Sequence, residues 1–210
     1  MTPSAPTRLP ARQRRRVIED AASQVFAERG YAGASLEEIA RRAGITKPVI
    51  YRHFRSKKDL HLVLLRRHLE ELLALQRNEL LPRIAGERLG PEQLRNWIWF
   101  AVDIWFAYVE EHPYAWRMLF RDTTGDPEIQ AFHRQMQHQA RATVRALIEA
   151  AEGLDVPPQL RDAMAELVRS AVVGTALWWA ENPGLPRREV VRMVALTIGQ
   201  GIAPAVESGG

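Results

Sequence analysis

Residues 35–54 read Ser-Leu-Glu-Glu-Ile-Ala-Arg-Arg-Ala-Gly-Ile-Thr-Lys-Pro-Val-Ile-Tyr-Arg-His-Phe, and this stretch decides the fold of the N-terminal part of the chain. It begins with a capping box: the Ser35 hydroxyl accepts from the backbone N–H of Glu38, and the Glu38 carboxylate returns to the N–H of Ser35. A short helix is therefore expected to begin at Leu36. Gly44 readily adopts the left-handed conformation, so it ends this helix in a tight turn.

A second short helix is expected directly after this turn. Thr46 is its N-cap, and Pro48 lies in its first turn, where a missing N–H costs nothing. Ile50 and Phe54 face the first helix of the chain, which leaves an outward face of Lys47, Pro48, Val49, Tyr51, Arg52 and His53. Two short helices joined by a glycine turn form a helix-turn-helix, whose second helix enters the major groove of DNA.

The outward side chains suit the chemistry of that groove. Lys47 can donate to a guanine or to a phosphate, and Arg52 can serve either role. Apolar contact with thymine methyl groups is expected from Pro48 and Val49. Further contacts with DNA, mainly with phosphates, are expected from the polar side chains on the outward face and at the edges of the motif. These side chains are Ser35, Thr46, Tyr51, His53 and Lys57. The alternative, that Tyr51 and His53 only pack between helices, stays open.

Charge along the chain points to the same partner. Residues 1–59 hold 13 Lys or Arg against 6 Asp or Glu, whereas the remaining 151 residues hold 16 against 19. This asymmetry predicts a polyanion partner for the first third of the chain, because cations that neutralise phosphates release counterions. A merely solvated basic surface is the alternative. The N-terminal arginines can form an arm that enters the minor groove or binds phosphate. The alternative is a solvated tail. The arginines concerned are Arg8, Arg12, Arg14, Arg15 and Arg16.

The run from Ser35 to Leu60 resembles the signature of the tetracycline-repressor (TetR) family. The centre of that signature reads small residue, x, x, aliphatic, Tyr, x, His or Tyr, Phe, x, Ser or Asn, Lys. The match extends from Arg12 to about Leu65. It implies phosphate contacts from Tyr51, His53 and Lys57, and base contacts from Lys47, Pro48 and Val49. Pro48 replaces the commoner Gly or Ala of the family and stiffens the start of the helix.

The whole chain is expected to be all-α, with about nine helices. A first helix runs from Arg12 to Gly30, a fourth begins after Ser56 and reaches about Leu81, and Pro and Gly breaks delimit later helices at about 91–112, 113–121, 127–152, 158–181 and 186–203. The resemblance implies a helix-turn-helix DNA-binding domain over 12–58 and a helical ligand-binding and dimerisation domain over 59–205. A flexible basic tail (1–11) and a disordered tail (206–210) are expected at the ends.

The C-terminal helices suggest a small-molecule site and a dimer. Asp103 lies between Trp99 and Phe106 at helical spacing, so a carboxylate among aromatic rings can hold a cationic ligand; pairing with an Arg or exposure to solvent is the alternative. Further wall candidates are Trp116, Phe120, Phe132 and Met136. Two homodimer-forming helices are expected at the end of the chain, because they carry apolar and small residues. The apolar and small residues of these two helices are Leu167, Val168, Ala171, Val172, Gly174, Thr175, Trp178, Trp179, Val190, Val194, Ile198, Gly199 and Ile202.

Several classes of protein are disfavoured. Cysteine is absent, which removes disulfides and thiol chemistry. The histidines lack metal-site spacing and no catalytic motif is present, so neither a metal, a cofactor nor an enzymatic activity is expected. No apolar run is long enough to span a bilayer and the N-terminus lacks a signal peptide, which predicts a cytoplasmic location.

The expected function is a ligand-responsive DNA-binding regulator, most simply a repressor that a small-molecule effector releases from a palindromic operator. The rivals are a ligand-insensitive dimer with a docking scaffold and an all-helical enzyme with an incidental basic face.

Overall fold

A computed structural model describes residues 10–84, 89–121, 125–151 and 157–207 of the chain, with side chains as far as Gln200. Arg8 and the side chain of Ile202, both named above, lie outside this description, as do the chain ends 1–9 and 208–210. The described residues form nine α-helices and no strand, which confirms the all-α prediction. Their bounds are α1 (Ala11–Gly33), α2 (Leu36–Arg42), α3 (Lys47–Tyr51), α4 (Lys57–Leu75), α5 (Pro91–Glu111), α6 (Pro113–Phe120), α7 (Pro127–Ala150), α8 (Pro158–Glu181) and α9 (Arg187–Glu207).

Local sequence explains where the N-terminal helices begin and end. The Ser35 hydroxyl accepts from the N–H of Glu38 at 3.2 Å, which confirms one half of the capping box. The other half is replaced, because the Glu38 carboxylate pairs with Arg42 one turn later at 3.2 Å. Gly30 and Gly44 both have positive φ, as expected of residues that break a helix. Thr46 occupies the N-cap of α3 but makes no side-chain capping bond.

The helix-turn-helix rests on α1 through one continuous core. Ile18, Phe26, Ile39, Ile50 and Phe54 are each at most 2% exposed and belong to a single cluster of packed side chains. Because α2 and α3 are too short to be stable alone, this burial is what holds them in place.

The C-terminal helices pack as two neighbouring pairs. Helix α5 lies against α9, and α7 lies against α8. Helix α6 contacts α1 and α4 as well as α5 and α8, so it connects the N-terminal helices to the rest of the molecule. The C-terminal helices are therefore packed, through α6, against the helices α1 and α4 that flank the helix-turn-helix.

The end of α4 differs from the prediction of a regular helix to Leu81. Regular α-helix stops at Leu75, a π-helical turn covers Gln76–Leu80, and a 3₁₀ turn covers Leu81–Arg83. Pro82 accounts for the change: it has no N–H to donate and its ring crowds the carbonyl four residues earlier, so α geometry does not continue. π-helical turns are frequent at functional sites.

Candidate DNA interface and effector cavity

The recognition helix α3 presents one buried and one exposed face. Ile50 is fully buried beneath it, whereas Tyr51 is 50% exposed. Pro48 and Arg52 are also exposed, and Val49 and His53 are half-buried. The outward face predicted for this helix is therefore open to a partner, with His53 beside the ring of Phe54 at a centroid distance of 6.5 Å.

Lys47, at the start of α3, already has a carboxylate partner. Its ammonium group donates to Glu37 on α2, and it lies 5.9 Å from the centre of the Tyr51 ring. The hydrogen bond to Glu37 raises the pKa of Lys47 above its ordinary value. A base or phosphate that binds Lys47 must compete with Glu37 in this arrangement.

Lys57 has a structural task in addition to the expected phosphate contact. Its Nζ donates to the backbone carbonyls of Tyr31 at 2.8 Å and Ala34 at 2.9 Å, and it stands 4.5 Å above the Tyr31 ring. An ammonium group has three donors, so one remains for a phosphate. Lys57 thus fixes the first turn of α4 to the end of α1, which no local sequence pattern indicated.

The arginines proposed as an arm are helical over their described part, in agreement with the predicted start of the first helix at Arg12. Arg12 to Arg16 lie within α1, whose first turn is closed by a hydrogen bond from Arg14 N–H to the Pro10 carbonyl at 2.9 Å. Arginine is a good helix former, which accounts for the helix over these residues. Arg15 lies over the Phe54 ring at 4.8 Å and pairs with Glu19, so it strengthens the helix-turn-helix core.

An apolar cavity of about 90 Å³ lies among the C-terminal helices. Helices α5 to α9 and the π-helical turn of α4 supply its walls. Its aromatic residues are Trp97, Trp105, Trp116 and Phe120. Aliphatic side chains of α7 and α8 complete most of the wall, including Val144, Leu147, Val168 and Val172. Such a lining suits an apolar ligand.

Two of the seven predicted ligand residues, Trp116 and Phe120, line this cavity. The other five lie elsewhere: Trp99 is 40% exposed, Phe106 packs on Trp179, Met136 belongs to the core on α7, and Phe132 is partly buried against that core. Asp103 lies 3.7 Å from Arg187, which is the alternative considered for it from the sequence. Gln76, Trp97 and Arg169 also line the cavity and were not among the predicted ligand residues. Only Gln76 carried a signal, because it is a polar residue four positions after the buried Leu72 of α4.

The joint between the two halves contains a buried histidine. His61 on α4 is fully buried, with its ring 4.5 Å from that of Phe26 and 5.0 Å from that of Tyr31. Burial lowers the pKa of His61 to about 3, with His133 and Lys57 adding to the shift, so the ring is neutral at pH 7. A second link is ionic, because Lys58 on α4 pairs with Glu128 on α7 at 3.1 Å.

Helices α8 and α9 leave apolar side chains exposed. Leu167 is 71% exposed, Trp178 49%, Met193 52% and Leu196 46%. Of the predicted dimer residues, Leu167, Ala171, Gly174 and Trp178 face outward, whereas Trp179, Val190, Val194, Ile198 and Gly199 are buried within the protomer. Exposed apolar patches of this kind are typical of protein interfaces.

No metal site and no membrane helix are found in the part of the chain that the structure describes. Residues there form no group of three or more His, Asp or Glu that is arranged to hold a metal ion. None of the described helices combines the length and apolar character needed to cross a membrane.

Comparison with known proteins places the chain in a family. Residues 18–64 match the profile of bacterial regulatory proteins of the tetR family, and residues 94–198 match that of the tetracyclin repressor-like C-terminal domain. The HTH-type transcriptional activator FasR of Mycolicibacterium smegmatis is 33% identical over 176 residues, which cover 83% of this chain and 76% of that protein.

Solved structures share the fold. A TetR-like transcriptional regulator from Rhodococcus sp. RHA1 superposes with a TM-score of 0.70 at 24% identity, covering 93% of this chain and 99% of that one. The Bacillus subtilis regulator FadR in complex with stearoyl-CoA superposes with a TM-score of 0.60 at 18% identity, covering 93% and 98%. With two matching domain profiles and a relative above 30% identity, the chain belongs to the TetR family of bacterial transcriptional regulators.

Proposed function

We propose that the chain acts as a homodimer on a palindromic operator, and that an apolar effector in the cavity beside Trp116 releases it from DNA. The observation that carries this proposal is the exposed, basic face of α3 at one end of a molecule whose other end encloses an apolar cavity. Release concerns the DNA-binding step alone, and both repression and activation are compatible with it, as the name of FasR illustrates. A regulator that binds chromosomal DNA acts in the cytoplasm, which is the location we propose.

The DNA contacts follow from what each exposed group can donate. Thr46, Tyr51 and His53 offer hydroxyl and ring N–H donors to phosphates, and the Ser35 hydroxyl keeps its own hydrogen for the same use. Base edges are left to Lys47, Pro48, Val49 and Arg52. One five-residue helix reads few base pairs, so specificity requires a second copy that reads the next turn of the duplex.

The effector is expected to be largely apolar. The cavity walls are almost entirely aromatic and aliphatic, and burial of an apolar group there contributes roughly 25 cal/mol per Å². An acyl chain, such as the one in the complex of Bacillus FadR, belongs to this chemical class. To release DNA the effector must prefer the off-DNA state, and a preference of ~100-fold corresponds to ~2.7 kcal/mol.

A pair of alanine variants on one helix tests the proposal. Ala140 lines the cavity, whereas Ala142 on the same helix is exposed. DNA fragments bound by the purified protein are first recovered and sequenced to give the operator. Apolar compounds are then screened by thermal shift and by operator release. We expect Ala140→Leu to bind the operator normally but to lose release, and Ala142→Leu to behave like the wild type.

The rival function is a ligand-insensitive dimer with a docking scaffold. It is favoured if no compound both stabilises the protein and releases the operator. The proposal also fails if Ala140→Leu, with its cavity filled, is released as readily as Ala142→Leu.

A further inference from the structure

The apolar cavity contains buried hydrogen-bonding groups that its apolar lining does not explain. Trp116 is 1% exposed and its indole N–H has no partner in the described residues. The indole N–H of Trp97, in the same wall, is likewise buried and without a partner in that part of the chain. Gln76 adds a side-chain amide that is only 6% exposed. A buried donor left unpaired costs about 1–3 kcal/mol, so groups of this kind call for a partner.

The cavity offers no uncompensated charge among the groups described. Arg169 is the charged residue in its wall, and its guanidinium donates to Glu166 at 3.0 Å and to Ser170 at 3.1 Å. That hydrogen bond from Arg169 lowers the pKa of Glu166 to about 2, so the carboxylate beside the guanidinium is ionised at pH 7. Thr143 directs its hydroxyl hydrogen to the backbone carbonyl of Gln139 at 3.3 Å. The buried donors that lack a partner among the described wall residues, the indole N–H groups of Trp97 and Trp116, are therefore neutral.

We propose that the cavity selects an effector whose apolar body carries one uncharged acceptor oxygen, bound by the indole N–H of Trp116 or Trp97 and by the amide of Gln76. Ketones, esters and thioesters belong to this class, because each has a carbonyl oxygen inside an otherwise apolar chain. Indole N–H groups only donate, so an acceptor on the ligand is the necessary complement. This inference rests on the proposed function, since it uses the same cavity.

The position of Gln76 ties this selection to DNA binding. Gln76 begins the π-helical turn that continues α4, and α4 starts at Lys57 beside the recognition helix. A ligand oxygen bound by Gln76 therefore contacts the helix that also reaches the DNA-binding half. Ligands of equal size that lack the oxygen fill the cavity without this contact.

A pair of isosteric probes tests the selection. Cyclohexanone and methylenecyclohexane have the same ring and differ only in C=O against C=CH₂. Each is titrated into the ¹⁵N-labelled dimer, and the indole N–H signals of the six tryptophans are followed by NMR, with assignments from single Trp→Phe variants. Dissociation constants come from the same titrations.

Two results are expected. The indole proton of Trp116 or Trp97 moves downfield with the ketone and not with the alkene, because only the ketone accepts a hydrogen bond. In Gln76→Leu, which keeps the volume of the side chain, the ketone binds about tenfold more weakly relative to the alkene than in the wild type. Leu75→Met, at the neighbouring position outside the cavity wall, leaves that ratio unchanged.

The outcomes separate the two proposals. If neither probe perturbs any cavity residue, the effector site itself is wrong. If both probes bind, the ratio of their dissociation constants is the same in Gln76→Leu and neither indole proton shifts with the ketone, the cavity is occupied but the proposed selection for an oxygen is overturned.

Discussion

The ammonium group of Lys58 lies 3.1 Å from a carboxylate oxygen of Glu128, which joins the first turn of α4 to the first turn of α7. The same lysine is 3.6 Å from Asp126, the N-cap of α7. The hydrogen bond to Glu128 raises the pKa of Lys58. Because α7 also forms part of the cavity wall, from Ala140 to Ile148, this ion pair links a helix of the proposed effector site to the helix that follows the recognition helix.

We expect Lys58→Glu to weaken the coupling between effector and operator. Effector affinity without DNA stays the same, while the fold-change in operator affinity on adding a releasing compound falls by up to about fivefold, as an exposed ion pair allows. Fluorescence anisotropy with and without the compound measures both. The double variant with exchanged charges, Lys58→Glu with Glu128→Lys, restores the coupling. If the coupling is not restored, this ion pair does not transmit the effect of the ligand to DNA binding.

Glu37 is expected to restrain DNA binding by occupying Lys47. Glu37→Gln frees the ammonium group and removes a negative charge near the phosphates, so operator affinity rises about two- to fivefold. Lys47→Met lowers affinity and reduces the salt dependence of binding by about one counterion. Titrations at several salt concentrations check this, and a loss of affinity in Glu37→Gln contradicts it.

Lys57 is expected to stabilise the folded protein without DNA. Lys57→Met removes two hydrogen bonds to backbone carbonyls and lowers the free energy of unfolding by about 1–3 kcal/mol. Lys58→Met is the matched control, since its ion pairs are exposed to solvent and contribute little to stability. Urea denaturation measures both. Equal stability of the two variants rules out the structural role of Lys57.

Acid is expected to destabilise the protein through His61. Its pKa is about 3 in the folded state and about 6.5 when unfolded, so the unfolded state binds the extra proton between these values. Stability is therefore fully present above pH 6.5 and is lost as the pH falls toward 3, by about 2 kcal/mol between pH 7 and pH 5. His68, whose pKa burial also lowers, acts in the same direction.

The variant His61→Leu isolates this contribution. Urea denaturation at pH 7 and pH 5 gives the difference in unfolding free energy, which is independent of any uniform loss of packing. We expect that difference to shrink by about 2 kcal/mol in His61→Leu. A variant whose stability falls with acid as steeply as that of the wild type contradicts the assignment to His61.

The exposed apolar face of α8 and α9 is expected to form the dimer. Leu167→Arg places a charge at its most exposed leucine, and because a two-fold interface contains each residue twice, dimerisation weakens by roughly 100-fold. Light scattering across a concentration series measures the mass. Gln159→Arg, outside this face, is the control. If Leu167→Arg dimerises as tightly as the wild type, the dimer interface lies on another surface of the protein.

Much of the fold was predictable because its signals are local. The Ser35 cap, the glycine turn at Gly44 and the prolines that begin α5 to α8 act within one helical turn, and the structure has helices close to the expected bounds. Likewise, the outward face of α3 follows from the four-residue spacing of Ile50 and Phe54.

The effector cavity was harder to predict because apolar helix faces look alike in sequence. Trp105 lines the cavity while its neighbour Phe106 is core, and only the packing of other helices distinguishes them. Asp103 pairs with Arg187, far along the chain, which spacing on α5 cannot reveal. The cavity is formed by the tertiary packing of several helices and not by any one segment of the sequence.

The two carbonyl bonds of Lys57 make the helix-turn-helix and the start of α4 one stiff piece. We therefore expect a movement of α4 to displace α3 as a rigid body, without bending the contact between the two helices. Nineteen residues of helix span about 28 Å, so a tilt of only about 5° displaces the far end by roughly 2.5 Å. In a dimer we expect the two displacements to combine and to shift the paired recognition helices relative to successive grooves.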